Sequence, residues 1–248
     1  MNINVIKLGG SLLDDPARRA QALEAIVRRW NEGENLVLVH GGGKHIDAAL
    51  AKVGIARKTY AGLRITDDAT LGVVVSVLAG TVNKLLVGEL TALGVRAAGI
   101  SGADASTLVA EPHPPIDGVE LGHVGRVTSS NATLVRSMLT YGTLPVVSSI
   151  AATKGGALLN VNADSAAAAL AIGVRAESLC FITDVAGLLD ANGAVVPRLH
   201  ARDVATWIAS DAVTGGMRPK LEAALGALRS GVPVITIGEE GGTNLVAA

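Results

Sequence analysis

Apolar strands that end in glycine turns, each followed by a helical pattern, constrain the fold of this chain more than any other feature. "INVIKLGG" is typical of a buried strand, and in the segment after it Leu23, Ile26 and Trp30 recur at helical spacing. "NLVLVH" repeats the arrangement, with a second glycine turn before the helical segment "KHIDAALAKVG". Repeated strand–helix units predict an α/β fold, a three-layer αβα sandwich whose central sheet is mainly parallel.

Two segments interrupt this alternation. Prolines and short β-like runs in "TLVAEPHPPIDGVELGHVGRV" predict a hairpin, and "TKGGALLNVN" predicts another. "ATLGVVVSVLAGTVNKLLVGELTALG" has the pattern of one long helix. No Pro/Ser-rich linker divides the chain, so we expect one continuous domain with two lobes, residues 1–174 and 175–248.

Composition narrows the possible functions. Of 248 residues 49% are hydrophobic and only 2% aromatic, so the core must be aliphatic. A net charge of −1 without a basic stripe gives no electrostatic footprint for nucleic acid. The single cysteine, Cys180, excludes an internal disulfide and a cysteine-based metal site. The longest apolar run is shorter than the roughly 18–20 residues of a membrane helix, and the start lacks a signal-peptide pattern, so we expect a cytoplasmic protein.

The stretch "LVLVHGGGKHID" resembles a phosphate-binding loop but has the wrong spacing for a Walker motif. Leu38 stands where that motif needs a glycine, and His45 stands where it needs Ser or Thr. The third glycine of a dinucleotide fingerprint is missing as well. A helix start nevertheless offers unpaired N–H groups to an anion. Since ligands of such sheets bind at the carboxyl ends of strands, the turns at Gly9–Gly10 and Gly41–Gly43 are candidate sites.

Two lysines are candidates for binding phosphate. Lys7 lies inside an apolar strand, either as an edge-strand lysine with a buried stem or with its ammonium beside the glycine turn. Lys220 and Arg218 crowd the start of a helix at Pro219, where cations are disfavoured. A bound polyphosphate would reverse that penalty; the alternative is a solvated surface lysine.

Other polar residues have two interpretations each. Asp164 either caps the following helix or forms a polar site with Asn160 and Asn162. Arg64 either grips a carboxylate in two-pronged fashion or is a surface arginine. Asp184 belongs either to a turn beneath a nucleotide or to an ordinary turn. The five histidines lack zinc-site pairing and there is no G-x-S-x-G motif, so we predict neither a metal-ligand set nor a nucleophilic serine.

Ten stretches, in order along the whole chain, resemble the N-acetyl-L-glutamate kinases of the amino-acid kinase superfamily. They are "VIKLGGSLL", "VHGGGK", "GLRITD", "LAGTVNKLL", "GISGADA", "LGHVG", "LPVVSSIA", "NVNADSAAAALA", "TDVAGLLD" and "GGMRPKLEAAL". The resemblance implies the amino-acid kinase fold and the MgATP-dependent phosphorylation of the side-chain carboxylate of N-acetyl-L-glutamate. That reaction is the second step of arginine biosynthesis, and its cofactors are ATP and Mg²⁺.

The resemblance also implies roles for particular residues. The substrate would bind to the backbone of the second glycine turn and to three side chains, with the residues Gly42, Gly43, Arg64, Asn160 and Asn162. The phosphoryl group would lie between two lysines held by an aspartate and next to a glycine N–H, with the residues Lys7, Lys220, Asp164 and Gly10. ATP would lie on the C-terminal lobe, against Gly9, Asp184, Val185, Ala186, Gly187, Leu188, Leu189, Ala212, Val213 and Thr214.

These roles suit the chemistry. Phosphoryl transfer requires positioning and charge neutralisation, which two lysines, backbone N–H groups and Mg²⁺ supply. A carboxylate nucleophile is already ionised at pH 7, so no general base is needed.

Assembly and substrate remain open at this point. Arginine-inhibited members of the family have a helix before the first strand and form hexamers. Here the strand begins by Ile3, so we expect a homodimer that arginine does not inhibit and that associates through the helix around Leu71–Leu93. The alternatives to the acetylglutamate kinase are a kinase for α-aminoadipate or glutamate bound to a carrier protein, and a non-catalytic sensor of nucleotide or acetylglutamate. A nicotinamide-dependent oxidoreductase is disfavoured by the missing fingerprint.

Overall fold

The computed structural model describes residues 1–183, 185–190, 192–210, 213, 215–238 and 241–247. Strands and helices alternate along these residues, as the sequence predicts. The strands are β1 (Ile3–Leu8), β2 (Asn35–His40), β3 (Thr59–Tyr60), β4 (Leu63–Arg64), β5 (Ala97–Ser101), β6 (Leu108–Pro112), β7 (Val124–Ser130), β8 (Leu144–Ser148), β9 (Ile150–Ala152), β10 (Leu158–Val161), β11 (Ser178–Ile182), β12 (Arg198–His200), β13 (Val234–Ile237) and β14 (Thr243–Val246). The helices are α1 (Gly10–Asp14), α2 (Pro16–Asn31), α3 (Gly43–Lys52), α4 (Asp68–Val75), α5 (Asn83–Ala92), α6 (Thr133–Thr140), α7 (Ala163–Val174), α8 (Val204–Ile208) and α9 (Met217–Arg229).

The central sheet has eight strands in the order β12-β14-β13-β11-β1-β2-β8-β5. Its neighbouring strands are parallel except for β13 and β14, which pair antiparallel. The prediction of a mainly parallel sheet is therefore confirmed. The sheet runs without a break through both expected lobes, because β1 pairs with β2 on one side and with β11 on the other.

Alternating side chains of the central strands enter two separate cores. Val5 and Val37 belong to a core with α6, α7 and α9, whereas Ile6 and Leu38 belong to one with α2, α3, α4 and α5. Helices therefore cover both faces of β1 and β2, which explains why these strands are apolar at nearly every position. Towards β13 the second face is less covered, and Val234 is 50% exposed.

Both predicted hairpins are present. β6 pairs antiparallel with β7, and β9 pairs antiparallel with β10. These four strands close on one another in the order β10-β7-β6-β9 and form a small barrel beside the main sheet. Its strand β10 leads directly into α7, which places the barrel next to the carboxyl ends of the central strands.

The predicted long helix spans Asp68–Ala92, and its middle, Ser76–Val82, is π-helical. By length and composition this helix is apolar enough to cross a membrane, and it is the one such helix within the residues described. A core helix meets the same two criteria, and here α5 contacts β5 and β8 of the main sheet. The wider π turns interrupt the α-helical register close to the second glycine turn.

Helix ends agree with the capping rules in one case and differ from the prediction in another. Asp15 caps α2 and accepts hydrogen bonds from the N–H groups of Ala17 and Arg18; from the sequence, either Asp14 or Asp15 could cap this helix. Pro219 does not begin α9, which starts two residues earlier at Met217. The sequence pattern predicted none of α1, α8, β3, β4, β12 and β14, which are all short.

Candidate active site

Three parallel strands at the centre of the sheet end side by side. Leu8 of β1 lies beside His40 of β2 and Ile182 of β11. The turns that follow therefore start at one edge of the sheet. These turns carry Gly9–Gly10 and Gly41–Gly43, so the two glycine turns are neighbours, as the strand pattern predicts.

Two buried lysines meet one carboxylate at this edge. The Nζ atoms of Lys7 and Lys220 lie 2.9 and 3.0 Å from the same atom, Oδ1 of Asp164. The three side chains are between 6% and 9% exposed, although they come from β1, α9 and α7. Two alternative interpretations are therefore wrong: β1 is a central strand rather than an edge strand, and Lys220 is not a solvated surface lysine.

The electrostatics of this cluster favour an anion. Burial alone would raise the pKa of the Asp164 carboxyl, but the ammonium groups of Lys7 and Lys220 outweigh it and hold that pKa below its ordinary value. Among the described residues, the ammonium groups of Lys7 and Lys220 both face the Asp164 carboxylate, and the Lys220 ammonium also lies 5.2 Å from the centre of the Phe181 ring. Ammonium groups form strong, charge-assisted hydrogen bonds with anionic oxygens, so this cluster is suited to a negatively charged ligand.

Asn162, rather than Asp164, caps α7. Its side-chain oxygen accepts hydrogen bonds from the N–H groups of Asp164 and Ser165 at 2.9 and 3.1 Å. The alternative in which Asp164 caps the helix is therefore wrong. The cap leaves the Asp164 carboxylate available to the two lysines.

A cavity of about 370 Å³ opens from the lysine cluster along the first glycine turn. Its wall is formed by Lys7, Gly9, Gly10, Asp164, Thr183, Val185, Gly187, Leu188, Leu189, Gly216, Met217 and Lys220. Of the predicted ATP-binding residues, Ala186 is exposed and Val213 is buried, and neither belongs to this wall. Asp184, Ala212 and Thr214 lie outside the described residues.

The first glycine turn requires glycine for close packing at one position and leaves open space at the next. A Cβ atom on Gly9 would lie 2.7 Å from the carbonyl oxygen of Ile182, whereas a Cβ on Gly10 would meet nothing within 4 Å. Gly10 is also the first residue of α1, where N–H groups have no intrahelical acceptor. Its N–H is therefore in a suitable place to donate to a ligand in the cavity.

The second glycine turn packs against the π-helical segment. A Cβ atom on Gly42 would lie 3.0 Å from Leu78 and 3.1 Å from Val82, so a larger residue would push the turn away from the helix. Gly43 begins α3, whose first N–H groups also lack intrahelical acceptors.

Arg64 is directed into this second part of the site. One guanidinium nitrogen, Nη2, donates to Oδ1 of Asp47 at 2.5 Å and to the carbonyl of Gly43 at 3.2 Å. The other nitrogen, Nη1, is buried and has no hydrogen-bond partner among the described residues. The side chain is 11% exposed, so Arg64 is not a surface arginine. A buried donor without an acceptor is costly, which favours a ligand oxygen at this place.

Thr66 connects two of the predicted substrate-binding residues. Its hydroxyl donates to the carbonyl oxygen of Arg64 at 2.7 Å and accepts from the side-chain amide of Asn160 at 3.1 Å. Its own N–H and carbonyl bind the backbone of Leu121 and His123, in the "LGHVG" stretch. Thr66 is fully buried and therefore fixes three chain segments relative to one another.

The sequence analysis missed Thr66, Thr183, Gly216 and Met217. A signal was present for Thr66, because it lies two residues after Arg64, and residues two apart in an extended segment point to the same side. The other three residues belong to the cavity wall through tertiary contacts that no local pattern encodes.

The chain is similar to a known protein family, to individual enzymes and to a solved structure. Residues 2–238 match the model of the amino acid kinase family. An acetylglutamate kinase of Methanopyrus kandleri is 42% identical, over 92% of each chain. One of Geobacillus thermodenitrificans is 41% identical, over 95% of this chain and 89% of the relative. The crystal structure of smu.665 from Streptococcus mutans superposes with a TM-score of 0.89 at 31% identity, over 98% of both chains.

The match to the family model covers residues 2–238, and therefore includes Lys7, Asp164 and Lys220. The chain belongs to the amino acid kinase family and, within it, to the acetylglutamate kinases.

Proposed function

We propose that this chain transfers the γ-phosphoryl group of ATP to the side-chain carboxylate of N-acetyl-L-glutamate, the second step of arginine biosynthesis. The observation that carries the proposal is the convergence of Lys7 and Lys220 on Asp164 at the end of a cavity. The geometry provides positive charge where a phosphoryl group needs it, and the related enzymes are named acetylglutamate kinases.

The charged cluster would act by stabilising the transition state. Lys7 and Lys220 would each donate to oxygens of the transferring group, while Asp164 keeps both ammonium groups in place between turnovers. The N–H of Gly10 would add a third donor. Preorganised donors of this kind stabilise charge more effectively than water, because they need not reorient during the reaction.

No residue is required to remove a proton. The attacking carboxylate is ionised at neutral pH. His40, the histidine beside the second glycine turn, could not serve as a base towards solvent-exposed substrate, because it is fully buried. What the protein must supply is the alignment of the attacking oxygen with the phosphorus.

The substrate would lie between the second glycine turn and Arg64. The Nη1 atom of Arg64 would donate to a carboxylate of N-acetylglutamate, and the N–H groups of Gly42 and Gly43 would hold the other end. Asn160 would contribute its amide, which Thr66 orients. Asn162 would support the pocket as the cap of α7.

ATP would occupy the cavity beside the first glycine turn. Gly9, with no side chain, would let the phosphates approach the backbone, and the wall on the C-terminal side would consist of Val185, Gly187, Leu188 and Leu189. Mg²⁺ bound to the phosphates would supply further charge neutralisation. The described residues contain no cluster of three or more potential metal-ligating side chains, so we assign no protein ligands to the ion, which commonly binds through substrate phosphates.

The lobes and the assembly belong to the same proposal. Residues 1–174 would bind acetylglutamate and dimerise, and residues 175–248 would bind ATP, in a cytoplasmic homodimer. Exposed leucines of the long helix support this part of the proposal: Leu85 is 37% exposed, and Leu93, just beyond the end of the helix, is 41% exposed.

Trapping of the acyl phosphate with hydroxylamine tests the proposal. The enzyme and MgATP are mixed with N-acetylglutamate, glutamate, aspartate or α-aminoadipate, and a Lys220→Ala variant is the control. We expect hydroxamate with N-acetylglutamate alone and none with the variant. Hydroxamate formed with another acid would indicate a related kinase that is specific for that acid. No product with any free acid would favour a carrier-bound substrate or a non-catalytic sensor.

A further inference from the structure

A buried chain of hydrogen bonds runs from the long helix to the second glycine turn. Nδ1 of His40 lies 2.9 Å from the carbonyl oxygen of Gly41, and Nε2 of His40 lies 3.1 Å from Nδ2 of Asn83. Both side chains are at most 1% exposed. His40 is the last residue of β2, and Asn83 directly follows the π-helical segment.

The remaining contacts of Asn83 fix which of its atoms donates. Its Nδ2 lies 2.9 Å from the carbonyl oxygen of Val146, which can only accept a hydrogen bond. Its Oδ1 lies 3.0 Å from the ammonium group of Lys84, which can only donate. The side-chain amide therefore has one orientation, in which Nδ2 donates to Nε2 of His40.

The orientation of Asn83 determines the tautomer of His40. Since Nε2 accepts from Asn83, the ring proton must be on Nδ1, and Nδ1 donates to the carbonyl of Gly41. Burial lowers the pKa of His40 to about 4, so the imidazole is neutral at physiological pH. A neutral ring with a defined tautomer is a fixed donor rather than a proton carrier.

This donor controls the direction of the next N–H group. The peptide bonds described in the chain include no cis bond, and in a planar trans peptide the C=O and N–H point in opposite directions. A hydrogen bond that holds the Gly41 carbonyl towards the imidazole therefore turns the N–H of Gly42 away from it. Without that bond a glycine peptide would rotate easily, because glycine has wide conformational freedom.

We propose that His40, oriented by Asn83, is a positioning residue that aims the N–H of Gly42 at the acidic substrate. The inference rests on the proposed role of Gly42 in binding N-acetylglutamate and goes beyond it by assigning the residues that set its geometry. Asn83 fits tightly over strand β5, since a Cβ atom on Gly99 would lie 1.7 Å from its Oδ1. The anchor of the glycine turn is thus the rigid contact between the long helix and the sheet.

The first test is spectroscopic and uses the wild-type protein. In ¹⁵N-labelled protein, the long-range ¹⁵N–¹H correlations of the imidazole distinguish the two neutral tautomers. We expect His40 as the Nδ1–H tautomer without added ligand, and in Asn83→Ala the same tautomer with a changed ¹⁵N shift of Nε2, because Nε2 loses the hydrogen bond that it accepts while the Gly41 carbonyl still accepts from Nδ1. The Nε2–H tautomer in the wild type, or an unchanged spectrum in Asn83→Ala, would overturn the assignment.

The second test uses matched substitutions and substrate binding. His40→Leu removes both ring nitrogens, whereas His40→Asn keeps an N–H donor near the position of Nδ1. His200→Leu, in strand β12 away from the glycine turns, is the matched control. The Kd for N-acetylglutamate is measured by calorimetry, and the KM values for both substrates and kcat are measured alongside.

His40→Leu should weaken acetylglutamate binding about two- to tenfold, as expected for one hydrogen bond, with the KM for ATP unchanged. His40→Asn should recover most of the affinity, and His200→Leu should lose none. Equal Kd values for His40→Leu and the wild type, or no recovery in a folded His40→Asn, would contradict the positioning role. Failure of the proposed function can be distinguished from failure of the positioning role. In the first case the wild-type protein would yield no hydroxamate, while the His40 tautomer could still be determined by NMR.

Discussion

The two ends of the candidate site are built from different interactions. At the phosphoryl end, each of two buried ammonium groups lies within 3.0 Å of the same carboxylate oxygen. At the acetylglutamate end, the hydroxyl of Thr66 forms neutral hydrogen bonds with the Arg64 carbonyl and the amide of Asn160, and the Arg64 guanidinium is paired with the Asp47 carboxylate.

This difference matches what each end must do. Charge develops and moves during phosphoryl transfer, so full charges fixed in a dry place affect the transition state strongly. Recognition of the acid and its acetyl group needs shape and several modest contacts, which affect binding. Substitutions at the charged end should therefore lower kcat, and substitutions at the neutral end should raise KM.

The largest effect is expected for Asp164→Ala. It leaves two ammonium groups buried without their carboxylate, and removal of one partner of a buried ion pair costs about 3–5 kcal/mol. The free energy of unfolding in urea should fall by that amount, and turnover should be lost. An unchanged urea midpoint would show that the buried ion pairs at the phosphoryl end do not stabilise the fold.

Lys7→Ala and Lys220→Ala should each lower kcat by about a hundred- to a thousandfold, the effect of removing one transition-state donor. The KM for acetylglutamate should change far less, because the lysines are proposed to act on the phosphoryl group. Steady-state kinetics measure both parameters, and Lys52→Ala, at an exposed position in α3, is the control. A rise in KM with normal kcat would assign the lysine to substrate binding instead.

The two ends should also differ in their response to acid. The pKa of His40 falls from 6.5 to about 4 on folding, so the unfolded chain binds the proton more tightly. The contribution of neutral His40 to the free energy of unfolding is fully present above pH 6.5. It is lost as the pH falls towards 4, by about 3 kcal/mol in total. The pKa of Asp164 is held below 3.8, so its contribution is lost only in stronger acid. Urea titrations of the wild type and His40→Asn between pH 7 and pH 4 check this, since the variant should lose less stability over that range.

Arg64→Ala should raise the KM for acetylglutamate by roughly ten- to a hundredfold, since hydrogen bonds to charged groups contribute about 1.5–3 kcal/mol. Because Arg64 also holds the carbonyl of Gly43, Arg64→Lys should restore charge but not the two-pronged geometry. Kinetics with acetylglutamate varied at saturating ATP measure the change. An unaltered KM would show that Arg64 does not bind acetylglutamate.

The smallest effect is expected for Thr66→Val, which removes a hydroxyl and keeps the shape. We expect a two- to tenfold higher KM for acetylglutamate, about 0.5–1.5 kcal/mol for a neutral hydrogen bond. Thr107→Val is a matched control, since Thr107 is equally buried and its hydroxyl binds a backbone carbonyl in another loop. Similar KM values in the two variants would count against a role for Thr66 in orienting Asn160.

The sequence predicted the charged end of the site better than the neutral end. Lysine is disfavoured inside an apolar strand and at the positive end of a helix, so a lysine at either place stands out in the sequence alone. Thr66 and His40 do not stand out in the sequence, because threonine is common in extended segments and histidine is not unusual at strand ends. Their importance depends on Asn160 and Asn83, which are distant in sequence and come close only through the packing of the barrel and the long helix.

The length of a repeating hydrophobic pattern decided which parts of the fold could be predicted. The alternation of strands and amphipathic helices repeats over many residues, whereas α1, α8 and β12 are only five, five and three residues long. At that length periodicity carries little information, and tertiary contacts decide the conformation. The Pro219 signal placed the start of α9 only approximately, because Met217 and Arg218 also adopt helical geometry.

The position of Lys7 in the middle strand of the sheet has a consequence for hydrogen exchange. The amides of β1 are paired with strands on both sides, so they should exchange only when the whole protein unfolds. Lys220 is carried instead by α9, a helix that packs on the outside of α7 and the sheet. A partial opening that releases α9 would separate the two lysines while β1 remains protected, so catalytic capacity should disappear at lower denaturant concentration than protection of the central strands.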